Sequence, residues 1–221
     1  FTNANLIILI ALGAYLILIK KILSPKETFY LVPSRWQIVI ETFYNTISNM
    51  LADNLGTRGQ QYFPFVYVLF IFVLLSNLIG LIPYSFTLTS HLIVTFALAL
   101  FIFIAFNIIC IRRHGLAFFS LFLPSGTSFV LALLLVPIEV ISYVFKPVSL
   151  SIRLFANMMA GHTMMKVFGG FVISLGIVGG WLPLSFSVAL TGLEILVAFL
   201  QAYVFAILTC IYLNDALNLH H

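Results

Sequence analysis

Two apolar runs near the C-terminal end constrain this chain more than any other feature. From Thr127 the chain is apolar almost to Gly176, and from Trp181 it is apolar again to Leu213. Inside a bilayer the backbone must hydrogen-bond to itself, which favours continuous helix. At 1.5 Å per residue such helices would reach about 75 Å and about 50 Å, against roughly 30 Å of hydrocarbon. Either each run holds more than one span, or its helix lies steeply tilted. Pro137 and Pro147 are expected to bend the first run without ending it.

Composition agrees with a membrane protein. The chain is 62% hydrophobic and 7% charged, with a mean hydropathy of +1.18, where a soluble domain carries about 25% charge. The net charge of +4 is spread too thinly for a nucleic-acid surface, so Lys and Arg are read for topology instead. Cys110 and Cys210 each end an apolar segment, and two buried thiols are expected rather than a disulfide or metal framework. No cofactor and no metal are expected. The chain starts at Phe1 rather than Met, so a leader removed or not included is expected, and no cleavable targeting segment is visible in what remains.

The spans follow in order. Residues 1–21 form a first transmembrane helix ending at Lys20-Lys21. Residues 34–56 carry apolar positions at Trp36, Ile40, Phe43, Ile47 and Leu51, with Glu41, Asn45, Asn49 and Asp53 elsewhere around the wheel. That pattern predicts an amphipathic helix on a membrane surface, capped by Ser34. Residues 62–111 read as a transmembrane hairpin, from Tyr62 to Ile82 and back from Leu92 to Ile111, closed by Arg112-Arg113-His114. Residues 127–221 read as a long tilted helix hairpin. Placing Lys20, Lys21, Lys26, Arg35, Arg58, Arg112 and Arg113 inside satisfies the positive-inside rule and leaves the N-terminus outside. The fold class expected is an all-α integral membrane protein, one membrane domain over residues 1–221 with no inverted repeat.

Polar residues collect where they are most expensive. Glu139, Glu194 and Asp215, half of the six carboxylates, lie in the last two runs with Arg153, Asn157, His162, Lys166 and Gln201. An arginine cannot deprotonate to escape the bilayer, and at its centre costs about 2.5 to 3.5 kcal/mol on insertion scales. If the runs form an antiparallel hairpin turning at residues 176–180, facing residues have numbers of constant sum. Glu139 and Asp215 sum to 354, Arg153 and Gln201 to 354, and His162 and Glu194 to 356. Three polar levels then share one register. The first lies toward the inside, His162 and Glu194 toward the outside, and Arg153 between them. Arg153 and His162, nine apart, point roughly 180° away from each other. Asn157, Ala160, Gly161 and Met164 share the arginine's face, where small residues would let another helix pass closely.

Each of these residues also has a plainer reading. Asn157 or Gln201 could be a helix-packing hydrogen bond, His162 a satisfied interior histidine, and Lys166 a side chain snorkelling to the interface. Arg153 faces an amide and no acid at its own level, so its counter-charge is expected from another chain. Acids and a histidine toward each face, with a fixed cation between, resemble two proton paths separated by a barrier.

The stretch S-L-S-I-R-L-F-A-N-M-M-A-G-H (149–162) together with L-T-G-L-E-I-L-V-A-F-L-Q-A-Y-V-F-A-I-L-T (190–209) closely resembles subunit a of rotary ATP synthases. N-L-I-G-L-I-P-Y-S-F (77–86) and the Y-L-N-D-A ending are similar to the mitochondrial branch, most of all its plant and protist versions. The likeness runs from about residue 34 to the C-terminus. It implies a proton-translocating stator subunit, packed against a ring of c subunits and against a peripheral-stalk b-type subunit and other stator membrane subunits. Arg153 matches the arginine that faces the ring and separates two half-channels, with Gln201 beside it and Asn157 one turn on. His162 and Glu194 match the half-channel open to the intermembrane space, and Glu139 and Asp215 the matrix-side one. The location implied is the mitochondrial inner membrane, with the C-terminus toward the matrix. Gly80 stands where some bacterial members carry an acid, so no entrance role passes to it, and His91 could line the entrance or be a loop histidine. No phosphate loop of the Walker kind occurs, so ATP chemistry is expected elsewhere in the complex. A self-contained ion channel would instead need a wet path without a central arginine. A purely structural subunit would tolerate loss of Arg153.

Overall fold

The structure, a computed structural model, describes residues 35–82, 87–115 and 129–217, together with positions 6, 9, 10, 12, 13, 15, 16 and 17 of the first apolar run. Lys20, Lys21, Lys26, Ser34 and most of the expected first span lie outside the described residues, as do residues 116–128. The order is α1 (Arg35–Leu55), a 3-10 stretch (Gly56–Tyr62), α2 (Phe63–Gly80), a 3-10 turn (Leu88–Ser90), α3 (Leu92–His114), α4 (Phe129–Ser174), a one-turn helix (Gly176–Gly179) and α5 (Trp181–Leu217). Among the described residues there is no strand, and four helices are long and apolar enough to cross a membrane.

Local chemistry explains the boundaries. Pro64 sits in the first turn of α2, where its missing N–H is harmless. Arg112, Arg113 and His114 occupy the last turn of α3, favourable at the negative end of the helix dipole. Gly115 then takes φ +56° and stops the helix. Each over-long run is one continuous helix. α4 has 46 residues and runs through Pro137 and Pro147, and α5 has 37. At 1.5 Å per residue these are about 69 Å and about 55 Å long, so both must tilt to stay in a bilayer. The turn between them falls where the glycines stand: Gly176 has φ +66°, and the N–H of Gly180 donates to the carbonyl of Gly176 at 2.9 Å.

α5 is the hub, touching α1, α2, α3 and α4. Ala198, Ala202 and Ala206, four apart and all buried, give it a narrow face that neighbours can approach closely. Phe205, Cys210 and Leu213 are fully buried on α5, and Leu150 and Leu154 of α4 join them in the core. The apolar stripe of α1 was expected to face a membrane surface. Its central residues instead cover protein: Ile47, Met50 and Leu51 are buried, Phe43 stacks with Phe199 of α5 at 6.1 Å, and Tyr44 meets Phe63 of α2 at 4.6 Å. Glu41 and Asp53 remain on the exposed side. An amphipathic pattern specifies that one face must leave water, and a neighbouring helix can meet that need as well as lipid can.

Candidate functional site

The hairpin of α4 and α5 carries a line of polar side chains through apolar surroundings. Glu194, Gln201 and Asp215 are spaced by seven and fourteen residues, so they share one face of α5. The first two are 6% and 5% exposed, and each level meets α4 differently.

Nearest the glycine turn, Phe168 stacks on Phe186 at 6.1 Å, and the hydroxyl of Thr191 donates to the sulfur of Met165 at 3.4 Å. The Glu194 carboxyl lies directly on Gly161, where an added Cβ would stand only 2.6 Å from Cδ of Glu194. Gly161 of α4 thus admits α5 itself, while Ala160 remains exposed. Both carboxyl oxygens of Glu194 and Nε2 of His162 are buried without a hydrogen-bond partner among the described residues, and the Glu194 carboxyl rests on Gly161, the residue before His162. Orphaned polar atoms of this kind require water, an ion or a proton to satisfy them.

One level along, Nδ2 of Asn157 donates to Oε1 of Gln201 at 2.8 Å, while Nε2 of Gln201 is buried and unpartnered among the described residues. The expected register put Arg153 opposite Gln201. Asn157 takes that place instead, and Arg153, one turn earlier, lies on the exposed face of α4. No carboxylate among the described residues pairs with it. A permanent cation is therefore presented outward from a 46-residue helix whose neighbouring surface positions are Ile152, Ala156, Met159 and Ala160.

At the far level Asp215 does not meet Glu139. Nζ of Lys146 lies 3.4 Å from Oδ2 of Asp215, and Glu139 sits seven residues farther along α4, exposed. Side chains on a helix lean toward its N-terminus. In an antiparallel pair each partner therefore reaches past its own level, which lets contacting residues sum above the level value, as they do increasingly away from the turn. The sum is 354 for Phe168 and Phe186, 356 for Met165 and Thr191, 358 for Asn157 and Gln201, and 361 for Lys146 and Asp215.

Several neighbours escaped the sequence reading. Lys146 is seven residues from Arg153 and so on the same face of α4, which is the signal the sequence carries for it. Asn77 of α2 is buried and donates from Nδ2 to the carbonyl of Ala198 at 3.4 Å, one turn from Glu194. Its Oδ1, with Oγ of Ser76, is buried and unpartnered among the described residues. Gly80 is closely packed: a Cβ would meet Thr87 at 3.1 Å and Met158 at 3.2 Å, so a larger side chain there must push these neighbours aside. His91 is exposed at the start of α3, and Lys166 is exposed on α4. Cys110 and Cys210 are buried free thiols.

The family model described as ATP synthase A chain matches residues 5–214. The chain belongs to the ATP synthase A chain family. Among its relatives, the ATP synthase subunit a of Pelagibacter ubique is 64% identical over 221 residues, covering 100% of this chain and 89% of that protein. The subunit a of Rhodospirillum rubrum is 50% identical over 220 residues, covering 100% and 90%. That of the red alga Chondrus crispus is 50% identical over 228 residues, covering 99% and 88%. Membership in the A chain family accounts for a multi-pass helical chain whose costliest residues lie on its two longest helices.

Proposed function

We propose that this chain is the proton-carrying stator subunit of an ATP synthase, with two offset half-channels that exchange protons with the carboxylates of a rotating c-ring. Protons enter from the outer face past His162 and Glu194 and neutralise a ring carboxylate, which can then rotate into lipid. A returning carboxylate meets Arg153 and releases its proton toward the inner face along Asp215 and Glu139, which stands about 10 Å farther along α4. Gln201 and Asn157 hold the polar level beside the arginine. Each charge crossing 100 mV supplies about 2.3 kcal/mol, so several protons drive each ATP.

The observation that carries the reading is Arg153, exposed on an apolar helix face without a carboxylate partner among the described residues. Such a cation is tolerable only if an anion from another subunit comes to meet it, and a ring of carboxylates supplies one repeatedly. Inward orientation of the Arg112–His114 end follows the positive-inside rule. Peripheral-stalk subunits would hold the exposed faces that the ring leaves free. The mitochondrial inner membrane is supported by the Chondrus crispus relative, while the Pelagibacter ubique and Rhodospirillum rubrum relatives fit a bacterial coupling membrane equally. The test is Arg153→Ala in the whole complex: assembly is retained and proton-driven ATP synthesis is lost. Normal synthesis by the assembled variant would overturn the reading. Arg153→Lys should also be poor, because a compact ammonium lacks the planar, delocalised guanidinium.

A further inference from the structure

The inner end of the hairpin contains a device that neither the register nor the family likeness assigned. Nζ of Lys146 is held three ways. It lies 3.4 Å from Oδ2 of Asp215, 5.3 Å from the ring centre of Tyr143 and 5.4 Å from that of Tyr212. The Tyr143 ring is itself fixed, because its hydroxyl donates to Oδ1 of Asn107 on α3 at 2.7 Å, and Asn107 donates back to the carbonyl of Phe103 at 2.8 Å. Beside the ion pair lies a cavity of about 20 Å³ bounded by Phe103, Phe106, Cys110, Tyr143, Tyr212 and Asp215, room for a single water. The pair is about one-third exposed on each side, 33% and 35%, where an ion pair adds little to stability. Freezing a lysine and an aspartate between two aromatic rings is therefore hard to explain as a stabilising device.

We propose that Lys146 is a positioning residue of the inner half-channel: it pins the Asp215 carboxylate at the edge of the one-water cavity, so that Asp215 receives the departing proton from that water and passes it to the inner solvent. This rests on the half-channel reading above. The step balances. The cavity water accepts the proton released by the ring carboxylate and hands one proton to Asp215, returning to neutral water; Asp215 gives one proton to inner water, and the carboxylate returns to the ammonium. The groups facing this point are Cys110 from α3, Tyr143 and Lys146 from α4, and Tyr212 and Asp215 from α5. Lys146 is the cation among these cavity-lining groups.

The experiment is a double-mutant cycle in the assembled complex, using Lys146→Met, Asp215→Asn and the pair together, with Lys146→Arg as a rescue. An ångström of misplacement in a reacting group can slow a reaction up to about 100-fold, so Lys146→Met should slow ATP synthesis by roughly tenfold. It should alter the response to inside pH and leave the response to outside pH unchanged, and Arg should restore most of the rate. Acting through Asp215, Lys146→Met should slow the Asp215→Asn protein no further. Multiplicative losses, or a wild-type rate and inside-pH response in Lys146→Met, would overturn the proposal. If the Met variant fails to assemble, Lys146→Gln keeps a donor and enters the same cycle. Arg153→Ala in parallel separates the two ideas: if it is inactive while Lys146→Met is normal, only the role of Lys146 fails.

Discussion

Gly161→Ala isolates the contact between the hairpin helices at the Glu194 level. A Cβ at 161 would stand 2.6 Å from Cδ and 3.0 Å from Cγ of Glu194. Carbon atoms rest at about 3.5 to 4.0 Å, so the carboxyl must retreat by roughly 1 Å. Glu194 is a flexible side chain, and it can swing without displacing backbone; the fold should survive. The helix should even gain, since alanine is better than glycine there by about 0.5 to 1 kcal/mol. What is lost is the seat of the carboxyl next to His162, and a 1 Å error in a proton-transfer group slows the reaction by up to about 100-fold. The expected result is normal assembly with ATP synthesis reduced roughly 10- to 100-fold. Gly169→Ala is the matched control, because a Cβ there meets nothing within 4 Å, and it should leave the rate unchanged. Full activity of Gly161→Ala, or equal loss in both variants, would refute the reasoning.

Glu194→Gln should slow transport and change its dependence on outside pH more than on inside pH, measured in energised vesicles with each side buffered separately; an unchanged response on both sides would leave Glu194 with a packing role. Asn157→Leu should remove the 2.8 Å bond to Gln201 and lower stability by about 0.6 to 1.7 kcal/mol, the range for hydrogen bonds between membrane helices, as read by denaturation in detergent.

The ends of the described helices and the glycine turn were legible because they depend on local rules. Apolar length marks α2 through α5, Arg112–His114 and Gly115 close α3, and Gly176 allows the reversal. The constant-sum register was right near the turn, where Phe168 meets Phe186 at 354, and failed at the open end, where Lys146 meets Asp215 at 361. Counting residues locates Cα levels. It does not include the lean and length of side chains, and a long lysine leaning toward the N-terminal end of α4 reaches Asp215 from a position seven residues nearer the turn than Glu139. The partnership of Asn157 with Gln201 was missed for the same reason, since one turn of offset swaps it for Arg153. The role of α1 was only half legible: its stripe identified an amphipathic helix, but no sequence pattern says that Phe43 and Ile47 would find α2 and α5 instead of lipid. Buried Ser76 and Asn77 gave no signal, because a serine and an asparagine in an apolar span look alike whether they face lipid, backbone or a proton path.

The central claim is that Arg153 separates two half-channels that communicate only through a moving ring. Passive proton flux through the membrane sector, with the ring crosslinked to the stator so that it cannot turn, tests this directly. With Arg153 present the account predicts no flux through the locked assembly, and with Arg153→Ala it predicts a leak that persists while the ring is locked. Equal flux in both, or no leak in the locked Ala variant, would contradict it.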